Sequence, residues 1–257
     1  MTGQSDIPRG ALWLGNAGML ALVVLWHLAT RGALAGVLPG PFEVATSLWQ
    51  GLGEPAFLAS LAASAVRVLV SLLAALAIGG LLALLPWFWA PLYSTVHSVI
   101  KPFLNSFPAI AWALLASIWF GVGDFTVIFV QTAILVPFCL VNISEGVRVL
   151  DADLLEMSDS FTTRRSRRFA LIVMPLLLPY AVSALRAAWG VGWKIALVAE
   201  LFGARSGLGY AMLRAESVAD LNRILAICLA IVIIGMAGER WLIDPIDRRT
   251  RLIKPMA

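Results

Sequence analysis

The stretch that decides the fold is Phe125–Ser144, FTVIFVQTAILVPFCLVNIS, which contains no Asp, Glu, Lys or Arg. An α-helix needs about 20 mainly apolar residues to cross the hydrocarbon layer of a membrane. Low charge extends over the whole chain of 257 residues, of which 60% are hydrophobic and only 13% are charged. A soluble domain carries about 25% charged residues. The sequence therefore predicts an integral membrane protein.

Five further uncharged runs are candidate spans, and they cover Gly10–Thr30, Val68–Ile100, Pro102–Gly123, Phe169–Leu185 and Ile224–Gly238. We expect the helix of the Val68–Ile100 run to begin near Leu61 and to break at Pro86 and Pro91, because proline removes a helical hydrogen bond. The last run is short, and Trp241, Leu242 and Ile243 extend it past Glu239. These runs predict an all-α membrane protein of about six transmembrane helices, with residues 1–257 as a single transmembrane domain.

Positive charge is unevenly placed along the chain, whose net charge is +4. Arginines cluster at Arg164–Arg168 and near Arg248, each time beside an apolar run. Lys and Arg concentrate in the cytoplasmic loops of membrane proteins. This pattern predicts that both termini lie in the cytoplasm, and it argues against a nucleic-acid partner. Cys139 and Cys228 lie inside uncharged runs and indicate neither a disulfide framework nor a metal site.

Residues 147–168 differ in character from the apolar runs around them. One apolar stripe at helical spacing is formed by Leu150, Leu154, Met157 and Phe161. Asp153, followed three residues later by Glu156, resembles a capping box and predicts a helix that begins near Leu154. The apolar face of this helix could pack on the protein's own helix ends or on lipid. It could equally dock into a groove of a soluble partner.

The same loop resembles the "EAA" loop of ABC importer membrane subunits. That pattern reads Glu-Ala-Ala, three residues, Gly, and later a proline that opens the next helix. Glu156 matches its glutamate, and Pro175 and Pro179 match the later proline. Met157 and Ser158 replace the two alanines, and Thr162 replaces the glycine. Because the loop departs moderately from the EAA pattern, its resemblance to this family depends on motifs in the remainder of the chain.

An ordered series of further motifs resembles the sulfonate, taurine, nitrate and bicarbonate branch of binding-protein-dependent ABC permeases. The series consists of Leu38–Pro41 with Glu43-Val44, Ser64 with Arg67, Pro108–Trp112, Ile118–Gly123, Ala199–Leu201 and Ser206–Tyr210. It runs from roughly the first helix to the end of the chain. The chain is therefore identified as a member of this branch.

The resemblance implies the transmembrane-domain fold of an ABC type I importer, in which residues 147–168 form a cytoplasmic coupling loop. In this family, two membrane subunits, commonly a homodimer, bind two cytoplasmic ATPase subunits. An extracytoplasmic solute-binding protein delivers the cargo. The residues that would couple the ATPase to the pore are Asp153, Leu154, Glu156, Met157, Ser158, Phe161 and Thr162.

The resemblance also implies a multi-pass subunit of the bacterial cytoplasmic (inner) membrane that imports a small anionic solute such as a sulfonate, taurine or nitrate. The chain contains no Gly-x-x-x-x-Gly-Lys-Ser/Thr phosphate loop. We therefore expect ATP and magnesium to bind the partner ATPase, and we expect no cofactor and no enzyme activity in this chain. A stand-alone secondary transporter or channel is the alternative, although the sequence has no clear internal repeat.

Charged residues within the spans are candidates for the translocation pathway, because a charge inside the membrane is costly. Arg67 lies near the outer end of its helix, so we expect it chiefly to snorkel to the interface. Arg186 and Lys194 are eight residues apart and lie on one helix face. They could line a path for an anion together with Glu200, or they could pair structurally with Glu200 or with backbone carbonyls, and the sequence leaves both open.

Two glycine motifs remain. Gly207, Leu208 and Gly209 are candidates for an outer gate or a binding-protein contact, either as an anion-binding backbone nest or as a sharp turn. Gly121–Asp124 matches the Gly-x-Gly-Asp string of intramembrane aspartyl proteases. That chemistry requires a second neighbouring acid, and no other Asp lies in a span. We therefore interpret this string as a turn, and expect no catalytic residue and no metal ligand.

Overall fold

The computed structural model describes residues 9–31, 38–150 and 165–251, with side chains over 17–31, 38–150 and 167–250. The described residues are helical apart from short connections and include no strand, which confirms the all-α prediction. The helices are α1 Arg9–Arg31, α2 Pro41–Leu52, α3 Pro55–Phe88, α4 Leu92–Ser106, α5 Ala109–Phe120, α6 Asp124–Arg148, α7 Phe169–Gly203, α8 Leu208–Ser217 and α9 Leu221–Thr250. The helix expected near Leu154 lies outside the described residues.

Four of these helices, α3, α6, α7 and α9, are long and apolar enough to cross a membrane. The helices α4 and α5 pass the same test together as a bent pair, which would give a fifth span. The first helix, α1, has 23 residues and rises about 35 Å, longer than the hydrocarbon layer. The chain is therefore a multi-pass membrane protein.

The helix of the second predicted span begins at Pro55, about two turns before the start expected near Leu61, and only one of its two expected breaks occurs. Pro86 does not break the helix, because α3 continues through it and ends at Phe88. The break falls beside Pro91, where α4 begins. A proline in the last turn of a helix removes only one hydrogen bond near an end that is already frayed, so the predicted break at Pro86 is wrong.

The third predicted span, Pro102–Gly123, is not a single helix. Its residues belong to α4 and α5, whose axes meet at 86°. Phe107 and Pro108 between them have extended backbones, with ψ of 125° and 133°. The ring of a proline disfavours the helical conformation at the residue before it, so Pro108 forces Phe107 out of the helix.

The last two helices continue beyond the uncharged runs that end at Leu185 and Gly238. The helix α7 continues to Gly203, and α9 continues through Trp241, Leu242 and Ile243 to Thr250, as expected for those three residues. Charges ended the predicted runs because an isolated charge is expensive in a membrane. Most of the charges here have partners on neighbouring helices, so they do not end the helix.

The centre of the protein is formed by α3, α6 and α7, whose buried side chains make one apolar core. The helices α3 and α6 lie close together at Gly79, where an added Cβ atom would lie 2.7 Å from the Cβ atom of Cys139 and 2.8 Å from the carbonyl oxygen of Val136. Small residues allow transmembrane helices to pack at this distance. This packing fixes the relative positions of the helices that carry the candidate site residues.

Candidate functional site

A cluster of polar side chains joins α3 to the start of α6 and the end of α7. It consists of the buried Ser64, Arg67 and Glu200 and the exposed Asp124 and Ser206, and we call it the Arg67 cluster. The guanidinium group of Arg67 donates from Nε and Nη2 to Asp124 Oδ1, at 2.9 and 2.6 Å. Its Nη1 atom donates to Glu200 Oε1 at 2.7 Å. Nη1 and Nη2 also donate to the backbone oxygen and hydroxyl of Ser206.

Arg67 is only 4% exposed and Glu200 is fully buried. The expectation that Arg67 snorkels to the interface is therefore wrong. Snorkelling relieves the cost of a charge by placing it in water, whereas this guanidinium is satisfied by two carboxylates and a serine. A buried ion pair is stable only when the remaining donors and lone pairs are also hydrogen-bonded. The Arg67 cluster meets that condition.

The carboxylate of Glu200 also organises the turn that precedes α8. It accepts hydrogen bonds from the Ser64 hydroxyl and from the Gly209 backbone N–H, both at 2.8 Å. Ser64 in turn accepts the backbone N–H of Leu208 at 2.8 Å. Among the described residues, the anion bound by the Gly207-Leu208-Gly209 backbone is therefore the protein's own glutamate.

Glycine is required at two positions of this turn for reasons of space and conformation. Gly207 has φ of +102°, and an added Cβ atom would collide with the carboxylate of Glu200. At Gly209, an added Cβ atom would lie 2.6 Å from both the Glu200 Cβ atom and the Leu197 carbonyl oxygen. The Gly-Leu-Gly sequence thus lets the turn lie directly on the end of α7. The turn couples α3, α7 and α8 mechanically.

Arg186 lies in a different set of contacts, on the side of α7 that faces the end of α9. It donates to Glu239 Oε1 at 3.2 Å, to Asp244 Oδ1 at 2.7 Å and to Asp247 Oδ2 at 3.1 Å. The expected pairing of Arg186 with Glu200 does not occur. Three carboxylates surround this single cation, so Arg186 is fully compensated.

Lys194 has no such compensation. Its side chain is exposed, and no hydrogen bond or salt bridge joins its ammonium group to a described residue. It lies on an exposed stripe of α7 together with Gly190, Val198 and Phe202. The structure therefore separates the in-span charges into the paired Arg67, Glu200 and Arg186 and the unpaired Lys194.

The sequence identified the charged residues of the spans, but it did not identify the residues that bond to them. Asp124 was interpreted only as a turn residue, although it begins α6 and accepts two hydrogen bonds from Arg67. The available signal was that Arg67 and Glu200 are oppositely charged residues in otherwise apolar segments, where each needs a counter-charge. Nothing in the sequence indicated that Glu239, Asp244 and Asp247 would converge on Arg186, because their convergence depends on a π-helical turn in α9.

The Arg67–Glu200 pair gives a prediction about stability. Arg67→Met leaves Glu200 buried without its counter-charge, a change that costs about 3–5 kcal/mol. Adding Glu200→Gln removes the stranded charge, so the double variant should unfold at a higher temperature than Arg67→Met alone. The measurement is the thermal unfolding midpoint of the detergent-solubilised protein, with Arg205→Met as an exposed control that changes it little. Losses that simply add in the double variant would contradict a direct pairing.

The comparisons with known proteins agree with this architecture. The family model described as "Binding-protein-dependent transport system inner membrane component" matches residues 75–252. The taurine transport system permease protein of Escherichia coli strain K12 is 28% identical over 239 residues, which cover 89% of this chain and 84% of that protein. The bicarbonate transport system permease protein of Synechococcus elongatus is 24% identical over 248 residues, 88% of each chain.

A solved structure shows the same fold. A chain of the MetNI methionine ABC transporter in an inward-facing conformation superposes with a TM-score of 0.60 at 19% identity, covering 83% of this chain and 97% of that chain. The resemblance noted in the sequence is thereby confirmed. The chain belongs to the family of binding-protein-dependent transport system inner membrane components and is an ABC permease of the sulfonate, taurine and bicarbonate branch.

Proposed function

We propose that the chain is the membrane subunit of an ATP-driven importer that carries a small anionic solute across the bacterial cytoplasmic membrane. Two cytoplasmic ATPase subunits would bind ATP and magnesium, and a solute-binding protein would deliver the cargo at the outer face. Two copies of the chain would form a homodimer around the pathway. Taurine and bicarbonate, named for the relatives above, both carry an anionic group, which supports an anionic cargo.

The observation that carries the anionic cargo is the unpaired Lys194 in the middle of α7. It lies about 12 Å along the helix from Arg186 and about 14 Å from Gly203 at the helix end. Both distances are greater than a lysine side chain extends, so Lys194 does not reach either interface by snorkelling. Exposure to lipid at this depth would cost about 3 kcal/mol. A water-filled path beside α7 removes that cost.

Arg186 was the other candidate for an anion site, and its surroundings argue against that role. The carboxylates of Glu239, Asp244 and Asp247 outnumber its one positive charge. An anion that approaches Arg186 would therefore meet net negative charge. We assign Arg186 to the packing of α9 against α7, and Lys194 to the pathway.

The Arg67 cluster and the Gly207-Leu208-Gly209 turn support an outer gate. They lie at the same end of the bundle, where α3, α6 and α7 are joined through Arg67 and Glu200. With both termini in the cytoplasm, this end faces outwards. A gate built on a fully hydrogen-bonded cluster would move as a rigid unit, since single members cannot leave without stranding a buried charge.

Coupling to ATP hydrolysis would occur at the opposite end, through residues 147–168. We propose that the apolar stripe of Leu154, Met157 and Phe161 seats in a cleft of the ATPase, with Glu156 at the contact. The ATPase would then bias the permease between outward and inward access. The described helices on either side of this loop, α6 and α7, pack against each other in the core.

A first prediction concerns Lys194. Lys194→Gln should lower the uptake of an anionic solute about tenfold, because one uncompensated cation in the path is lost, whereas Lys194→Arg should retain most of it. The measurement is initial-rate uptake of radiolabelled taurine, nitrate and bicarbonate by cells that express the complete system. Equal uptake by both variants and the unmodified protein would exclude Lys194 from the pathway without affecting the assignment as a permease.

A second prediction concerns the coupling loop. Glu156→Lys reverses the charge at the proposed ATPase contact and should abolish uptake, while the protein remains inserted in the membrane. The matched control is Glu216→Lys, the same change at an exposed position in α8, which should leave uptake near its normal rate. Uptake and membrane content are measured in the same cells. Normal uptake by the Glu156→Lys variant would show that this residue does not couple the two subunits.

A further inference from the structure

At the C-terminal end of α9, the acidic residues face α7 and the basic residues face away from it. Residues Glu239–Ile243 form one π-helical turn within the helix. Glu239 and Asp244 are five residues apart, and an uninterrupted α-helix would separate them by about 140°. The extra residue in a π turn brings them onto one side. Both carboxylates therefore reach Arg186 on α7, and Asp247 joins them one turn later.

This inward side is fixed by packing as well as by charge. Ile243 is 2% exposed and Thr250 is 8% exposed. Just before the π turn, the indole N–H of Trp189 donates to the backbone oxygen of Gly235 at 2.9 Å. The end of α9 thus cannot rotate about its own axis without breaking contacts with α7. Its outward side is equally well defined.

The outward side is basic and amphipathic. It carries Arg240, Arg248 and Arg249, all exposed, and none of them has an ion-pair partner among the described residues. Between them lie Trp241, 75% exposed, with the exposed Leu242 and Ile246. We call these six residues the basic end of α9. The acidic residues of the same segment, Glu239, Asp244 and Asp247, accept hydrogen bonds from Arg186 on α7.

The depth of these residues matches the layers of a bilayer. From Leu221 to Gly238 the helix rises about 27 Å, close to the thickness of the hydrocarbon layer. Trp241 then lies at the boundary, where tryptophan is enriched in membrane proteins. Arg248 lies about 40 Å from Leu221, roughly 10 Å beyond this boundary, and its long side chain can extend back to the headgroup layer. Arg240, which directly precedes Trp241, lies at the boundary itself.

We propose that the basic end of α9 is a binding site for anionic phospholipid headgroups. The three arginines would bind the phosphate groups with charge-assisted, partly bidentate hydrogen bonds, while Trp241, Leu242 and Ile246 contact the upper acyl chains. This inference does not depend on the identity of the transported solute.

A lipid fits this surface better than a protein partner, because the exposed apolar side chains continue along α9. Val232, Ile233 and Met236 are all exposed on the helix before the π turn. They lie within the apolar span, where lipid chains are the solvent. The apolar part of the basic end of α9 is thus the last turn of a lipid-facing surface, and the arginines follow where the phosphates begin.

The test uses the full-length protein in dodecyl maltoside, titrated with dioctanoyl phosphatidylglycerol, which is anionic, or with zwitterionic dioctanoyl phosphatidylcholine. We expect phosphatidylglycerol to raise the thermal unfolding midpoint saturably and phosphatidylcholine to raise it far less. Each basic residue near an anionic lipid surface contributes about 1 kcal/mol. The triple variant R240Q/R248Q/R249Q should therefore require roughly a hundredfold more phosphatidylglycerol for half of the effect.

The matched control is R31Q/R205Q/R214Q, which removes the same charge from three exposed arginines elsewhere in the chain and should respond as the unmodified protein does. If the first triple variant is already less stable without lipid, R240K/R248K/R249K keeps the charge and should retain the response. The proposal is overturned if phosphatidylcholine acts equally, if both glutamine triples lose the response alike, or if R240Q/R248Q/R249Q responds normally. A normal lipid response with loss of co-purifying ATPase would assign this face to a protein partner instead.

Discussion

The structure depends on the requirement that a guanidinium group withdrawn from water be matched by a counter-charge and by hydrogen-bond acceptors for all its donors. Arg67 satisfies this requirement through Asp124, Glu200 and Ser206. These residues come from α6, from α7 and from the turn before α8, so one side chain fixes the relative positions of four helices at one end of the bundle. The glycines of that turn follow from the same requirement, since they allow the backbone to lie against Glu200.

The cations along the bundle illustrate three ways of placing charge in a membrane protein. Arg67 is buried and paired, Arg186 is compensated by three carboxylates near the end of α9, and Lys194 is exposed and has no ion-pair partner among the described residues. The first two arrangements stabilise the fold and leave little net positive charge to attract a ligand. The third is stable only if water reaches the surface beside Lys194, which is the basis of the proposed anion path.

The sequence sufficed for the properties that depend on composition and on local patterns. The uncharged runs predicted an all-α membrane protein, and the ordered motifs predicted the permease family. The sequence failed where a local rule is overridden by tertiary partners. Arg186 and Glu239 end the uncharged runs of the sequence, yet each has a partner on the other's helix, so α7 and α9 continue through them. Pro86 was expected to break α3, but it lies too close to the helix end to do so.

The sequence could not predict which residues bond to Arg67 and Arg186, because these contacts depend on how the helices cross. Arg67 and Asp124 are 57 residues apart, and their contact depends on how α3 crosses α6 beside Gly79. The three carboxylates around Arg186 converge because of a π-helical turn, and no residue pattern in Glu239–Ile243 predicts such a turn. In contrast, the requirement for a glycine at positions 207 and 209 was visible in the sequence as a motif, although its cause, the buried Glu200, was not.

As part of the proposed importer, this permease would assemble with separate ATPase and solute-binding subunits. The most direct test is native purification of the tagged chain from its own membranes in a gentle detergent, followed by mass spectrometry of the intact complex and of its components. We expect two permease copies, two ATPase subunits and a solute-binding protein that co-purifies or binds on addition. Recovery of the chain alone, with uptake unaffected by removal of cellular ATP, would contradict this proposal.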